Sequence, residues 1–114
     1  MKKWMSLSMC TLFILGMVIM GFSADKKGSF DAVKTFASKC AMCHGKDAKG
    51  NAKMAKKEVT LEMLDLVDST TLAKADKDLN DITSKGLGKM PSFAKKFKAE
   101  EINQIITYIR TLKK

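Results

Sequence analysis

A chain of 114 residues, 46% of them hydrophobic and with a net charge of +9, has room for one domain and not for two. Its three cysteines exclude a disulfide-stapled scaffold, since Cys10 lies in an apolar leader and Cys40 and Cys43 would close only a tiny loop. The basic balance suits an acidic protein partner, an anionic membrane face or a plain solvated surface, and the lack of aromatic–basic interleaving argues against nucleic acid.

Residues 1–23 read as an export signal, with Lys2 and Lys3 ahead of an apolar run from Leu7 to Phe22. Small residues at Gly21 and Ser23 predict cleavage before Ala24. The alternative is a retained anchor, because Trp4–Phe22 almost spans a bilayer; the shortness of the apolar run favours cleavage. Cys10 is a poor lipidation site, since more apolar sequence follows it. In either case residues 24–114 form one domain outside the cytoplasm, periplasmic or otherwise exported, and tethered only if the leader stays. Setting Lys2 and Lys3 aside lowers the net charge to +7. A segment of about 90 residues is near the lower limit for a self-sufficient core, so a large apolar cofactor or a partner should help hold it.

The elements after the leader are all helical. Phe30, Val33, Phe36, Ala37 and Cys40 recur at three- and four-residue steps, which predicts a helix over 30–40 capped by Ser29. It runs into CAMCHG at 40–45. Residues 45–58, lysine-rich with two glycines, read as a loop. Thr60 can cap a short helix with Leu61, Leu64 and Val67 inward. Another, from Asp76 to Lys85, should bury Leu79 and Ile82 and stop at Gly86. GLGKMPSFAKKF is a loop by composition. The last helix carries Ile102, Ile105, Ile106, Ile109 and Leu112 on one stripe, with Glu100 and Glu101 in its first turn and lysines after it. No useful stretch alternates with period two. The fold class is all-α, with about four to five helices.

CAMCH, with Cys40, Cys43 and the only histidine, His44, has three readings. Structural zinc needs four ligands, and after the leader no second Cys/His cluster completes the set. Thiol–disulfide exchange fits an oxidising compartment, yet its motif follows a strand, and no strand pattern exists here. Covalent haem attachment fits best. Cysteines one turn apart reach the two vinyl groups of a porphyrin, and the adjoining imidazole reaches the iron as proximal ligand.

A second histidine ligand is excluded within this chain, so the sixth ligand is a methionine, a lysine, water or nothing. Met42 lies inside the motif and cannot reach round the ring. Met63 sits in a helix pattern, where filling the core is the ordinary role. Met54 stays open, in the basic loop. Met90 is favoured: it lies 46 residues after His44, glycines let its backbone approach closely, and Pro91 holds it extended. The plainer alternative makes Met90 loop packing beside Phe93. A thioether ligand would fill the last iron position and favour electron transfer over catalysis.

With KCAMCHG at 39–45, KMPSF at 89–93 and helices on either side, nearly all of residues 28–112 resembles the class I c-type cytochromes, specifically the short bacterial single-haem carriers. The resemblance implies one haem c bound through Cys40 and Cys43, with His44 proximal and Met90 distal. It also implies that the first and last helices cross, with Phe36 meeting Tyr108. Two features depart from the family pattern. No proline follows the motif to supply the carbonyl that orients the proximal imidazole, and no tryptophan follows the leader to hold a haem propionate.

The leading expectation is a monomeric electron carrier between larger redox proteins, not an enzyme. Lys39, Lys46, Lys49, Lys53, Lys89, Lys95 and Lys96 flank the ligand segments and would steer acidic docking surfaces. The alternative is a fixed haem c subunit of a membrane oxidase or dehydrogenase complex. A haem sensor or peroxidase is a third reading, weakened by the lack of a catalytic cluster near the ligands.

Overall fold

A computed structural model describes residues 29–113, so the export signal expected over 1–23 lies outside the described residues. Among these residues six helices follow one another, against the four to five expected: α1 Ala32–Lys39, α2 Ala41–His44, α3 Leu61–Leu64, α4 Ser69–Leu72, α5 Asp76–Lys85 and α6 Ala99–Thr111. Among the described residues there are no strands, only three isolated bridges, as an all-α reading requires.

α1 starts later than expected. Its cap is Asp31, whose carboxylate accepts the Lys34 N–H at 2.9 Å, and not Ser29. An acidic cap also complements the positive end of the helix. The inward stripe is narrower too: Phe36 is buried, whereas Val33 and Ala37 are exposed. Phe30, just ahead of the cap, meets Phe97 edge to face at 5.9 Å between centroids.

α6 packs on both α1 and α5. It buries Ile102, Ile105 and Ile106, while Ile109 and Leu112 stay half-buried. Phe36 and Tyr108 meet across the α1–α6 crossing, with centroids 5.5 Å apart and planes at 68°. Phe36, Ala41, Ala48 and Ile105 form the core beneath that crossing. Such edge-to-face pairs add about 0.5–1.5 kcal/mol beyond their buried area.

Three differences from the expected elements concern the middle of the chain. α3 ends at Leu64, because Asp65 turns extended and the next residue donates its N–H to Ala48 O at 2.7 Å. Val67 is therefore outside the helix, and Leu61 is exposed. α4 is an added element, capped by Asp68 through bonds of 2.8 and 3.0 Å from the Thr70 and Thr71 N–H groups. α5 has the expected bounds and stops at Gly86, yet it buries no residue fully, and Leu79 and Ile82 are half-buried.

Arg110, the only arginine of the chain, joins these pieces. From α6 it donates to Leu72 O at 2.9 Å, to Lys74 O at 2.7 Å and to the Asp76 carboxylate at 2.9 Å. Asn80 ties α5 to the start of α6 through Ala99 O and Asn103 Oδ1, at 2.9 and 2.7 Å.

Candidate haem site

The motif occupies a break between helices. Cys40 closes α1 and leads into α2, whose last residue is His44. Gly45 then reverses the chain, and the loop folds back on α2. The Asn51 side chain donates to Met42 O at 2.7 Å, the Asn51 N–H to Cys43 O at 3.0 Å, and the Gly50 N–H to His44 O at 2.7 Å. Three carbonyls that a short helix leaves unpaired are thus satisfied in order. Gly50 is required there: its φ is +90°, and a Cβ would stand 2.8 Å from Leu61 Cδ1. Ala48, in the same loop, is fully buried at φ 61°, a left-handed conformation uncommon for alanine.

The His44 ring is fixed from α3. Its Nδ1 lies 2.8 Å from Leu64 O, and since a carbonyl only accepts, Nδ1 carries the proton. Nε2 is then the nitrogen with a free lone pair. Burial lowers the His44 pKa, opposed by the bond to Leu64, so the ring is neutral at pH 7, as a metal ligand must be. Leu64 O thus does the work for which no proline was available. A ligating imidazole has such a partner on its other nitrogen.

Cys40 and Cys43 are free thiols, both half-buried. Burial, with a smaller contribution from Cys43, pushes the Cys40 thiol up to about 11. Thiol–disulfide catalysis needs the opposite shift. Among the described residues no group of three or more Cys, His, Asp or Glu side chains could hold a metal ion, which removes support from zinc.

Met90 comes from a different wall. Leu87 and Met90 pair across a tight turn, with bonds of 3.2 and 2.9 Å in the two directions. The chain beyond is pinned to the end of α5: Phe93 N–H to Thr83 O at 3.2 Å, Ala94 N–H to Ser84 O at 3.1 Å, and Ser92 Oγ to Ser84 O. Gly86 permits this, because a Cβ there would meet Met90 O at 2.6 Å. Phe93 is buried and stacks on Phe97 at 5.7 Å, with the Lys96 ammonium over its face. Met90 itself is half-buried, and among the described residues no hydrogen bond or ion pair joins it to the motif. The link between the two walls is Glu58 to Lys89, at 3.4 Å.

The other methionines are placed differently from Met90. Met42 and Met63 are each 67% exposed, so the core-filling role expected of Met63 is not what it does. Met54 is half-buried at the edge of a cleft shared with Lys89. Lys39, Lys46, Lys49, Lys53, Lys89, Lys95 and Lys96 are all exposed. Leu64 and Asn51 were missed in the sequence: a main-chain acceptor leaves no residue-type signal, and an asparagine in a polar loop looks like any turn residue.

A neutral imidazole with Nε2 free and two thiols one helical turn apart, with a thioether carried on a separate loop, are the donor types that haem c takes. A family model described as cytochrome c oxidase, cbb3-type, subunit III matches residues 31–109. The cbb3-type cytochrome c oxidase subunit FixP of Azorhizobium caulinodans is 32% identical over 91 residues, covering 78% of this chain. The chain spans only 27% of the length of that relative. The residues matched hold the cysteine motif, the Met90 loop and the crossing helices together, and on this ground the chain belongs to the c-type cytochrome family of the cbb3-type oxidase subunit III.

Proposed function

We propose that the chain carries one haem c, bound through Cys40 and Cys43 and ligated by His44 and Met90, and passes electrons as the haem c component of a membrane oxidase-type assembly. Membership of a c-type cytochrome family implies haem c, whose iron exchanges one electron at a time. The observation that carries the reading is the His44 Nδ1 bond to Leu64 O, which presents Nε2 as an oriented, neutral ligand. Met90, brought in by the pinned turn after α5, supplies the opposite ligand. With both axial positions held by the protein, the iron has no open site, and the domain is a relay and not an enzyme.

The similarity to an oxidase subunit supports this placement over a carrier, soluble or tethered, that passes electrons between larger redox proteins, the leading expectation from sequence. Among the described residues no helix is long and apolar enough to cross a membrane. The exposed lysines suit acidic docking surfaces on either arrangement.

The test is the absorption spectrum of the purified chain, ferric and ferrous, with carbon monoxide added to the ferrous form. A low-spin spectrum with the ferric sulfur-to-iron band, unmoved by carbon monoxide, is expected. A high-spin, carbon monoxide-sensitive spectrum overturns the relay. Copurification with a large oxidase, against recovery as a free small protein, separates subunit from carrier.

A further inference from the structure

A haem brings two propionate carboxylates along with its apolar ring. Carboxylates stay out of a protein interior unless cations and donors meet them. Among the described residues the core holds no buried polar or charged side chain, so these groups must lie at a rim. Arg110, the residue best shaped for a carboxylate, is already engaged by Leu72, Lys74 and Asp76. No tryptophan lies beyond Trp4. Lysines are the cations that remain.

One cleft answers this need. It has a volume of about 440 Å³ and is lined by Met54, Lys56, Lys57, Glu58, Val59 and Lys89. Its apolar part is Met54 and Val59, and its cations outnumber its single carboxylate. No residue of the Cys40–His44 segment lines it. That matters because the propionates leave the porphyrin on the pyrroles that do not carry the vinyl groups. The cleft also lies where the two walls of the site meet. Lys89 adjoins Met90 in sequence, and the chain from Glu58 runs through the Thr60 cap into α3, whose Leu64 carbonyl holds His44.

A tight turn presents the lysines. Lys56 N–H donates to Val59 O at 2.8 Å and Val59 N–H to Lys56 O at 3.0 Å, which leaves Lys57 and Glu58 at the tip. The Glu58 carboxylate already reaches the Lys89 ammonium at 3.4 Å, so a carboxylate can be met across this gap. Among the described residues Lys56 and Lys57 take part in no ion pair. We propose that Lys56, Lys57 and Lys89 seat the haem propionates, an inference that rests on the haem reading above.

The test uses the full chain with haem attached. In the ferrous state, nuclear Overhauser contacts are expected between the propionate methylenes and the side chains of Lys56 and Lys57. A Lys56→Gln/Lys57→Gln variant should shift the redox equilibrium about three- to tenfold toward ferric iron, as loss of nearby positive charge requires. A Lys34→Gln/Lys113→Gln control should shift it far less, and Lys56→Arg/Lys57→Arg should restore the parent value. Propionates in contact with other residues, or equal shifts in the two glutamine variants, overturn the proposal. If the His44/Met90 spectrum is intact in that case, the relay stands and only the propionate seat fails. A chain that takes up no haem overturns both.

Discussion

The wall that carries His44 and the wall that carries Met90 are built on different principles. On the His44 side the hydrogen bonds go to the ligand itself and to its immediate backbone: Leu64 O takes the ring proton, and Asn51 and Gly50 take the carbonyls of Met42, Cys43 and His44. On the Met90 side they go to the backbone alone, through the two bonds that Met90 exchanges with Leu87 and those of Phe93 and Ala94 to α5, and none reaches the thioether. The difference is what the proposed haem ligation asks of the two side chains. A planar ring must be aimed and its tautomer chosen, whereas a thioether on a flexible stem finds its own angle once the backbone is near.

The sharpest way to break this contrast is to remove each ligand. His44→Ala should leave little haem-bearing protein, because the aimed ligand and its link to α3 go together. Met90→Ala should keep the haem, lose the sulfur-to-iron band and become sensitive to carbon monoxide, all read from the same spectra. Next in size is Arg110→Met, which frees two main-chain carbonyls and Asp76 at the joint that leads into α5 and so toward the Met90 turn. A loss of about 2–3 kcal/mol is expected in denaturant unfolding of the haem-bearing chain. Asn51→Ala acts on the other wall alone, with an expected loss of about 0.5–1.5 kcal/mol from the bond to the exposed Met42 carbonyl.

The smallest effect belongs to Asp68, whose cap starts α4 between the two walls. Asp68→Ala should cost about 1 kcal/mol at neutral pH. The Thr71 side chain above all, with the Thr70 and Thr71 amides, holds the Asp68 carboxyl below its ordinary value of 3.8. The unfolded chain therefore takes up the proton first as acid is added. The contribution is complete above pH 3.8 and fades as pH falls through the lower folded value, so the gap between parent and variant should close in acid.

The sequence made some of this plain and hid the rest for physical reasons. α5 and α6 were legible because a stripe at helical spacing coincides with a glycine stop in one and acidic first-turn residues in the other. The turn at Met90 was legible because its two glycines and Pro91 break any helix. α4 was missed, since Ser-Thr-Thr has weak helix propensity and only the Asp68 cap announces it. α3 was read too long, because its end is set by the pairing of Lys49 with Asp65, a contact between distant segments. Thiol chemistry, already disfavoured by the absence of a strand pattern, lost further support from the burial around Cys40.

The acceptor that aims His44 is a main-chain oxygen, and every amino acid carries one. No codon change at position 64 can delete it, so genetic drift there moves α3 packing and leaves the imidazole's partner in place. Position 64 can therefore vary as far as α3 packing allows without costing His44 its partner, whereas a single nucleotide change at codon 44 or codon 90 can remove the imidazole or the thioether outright.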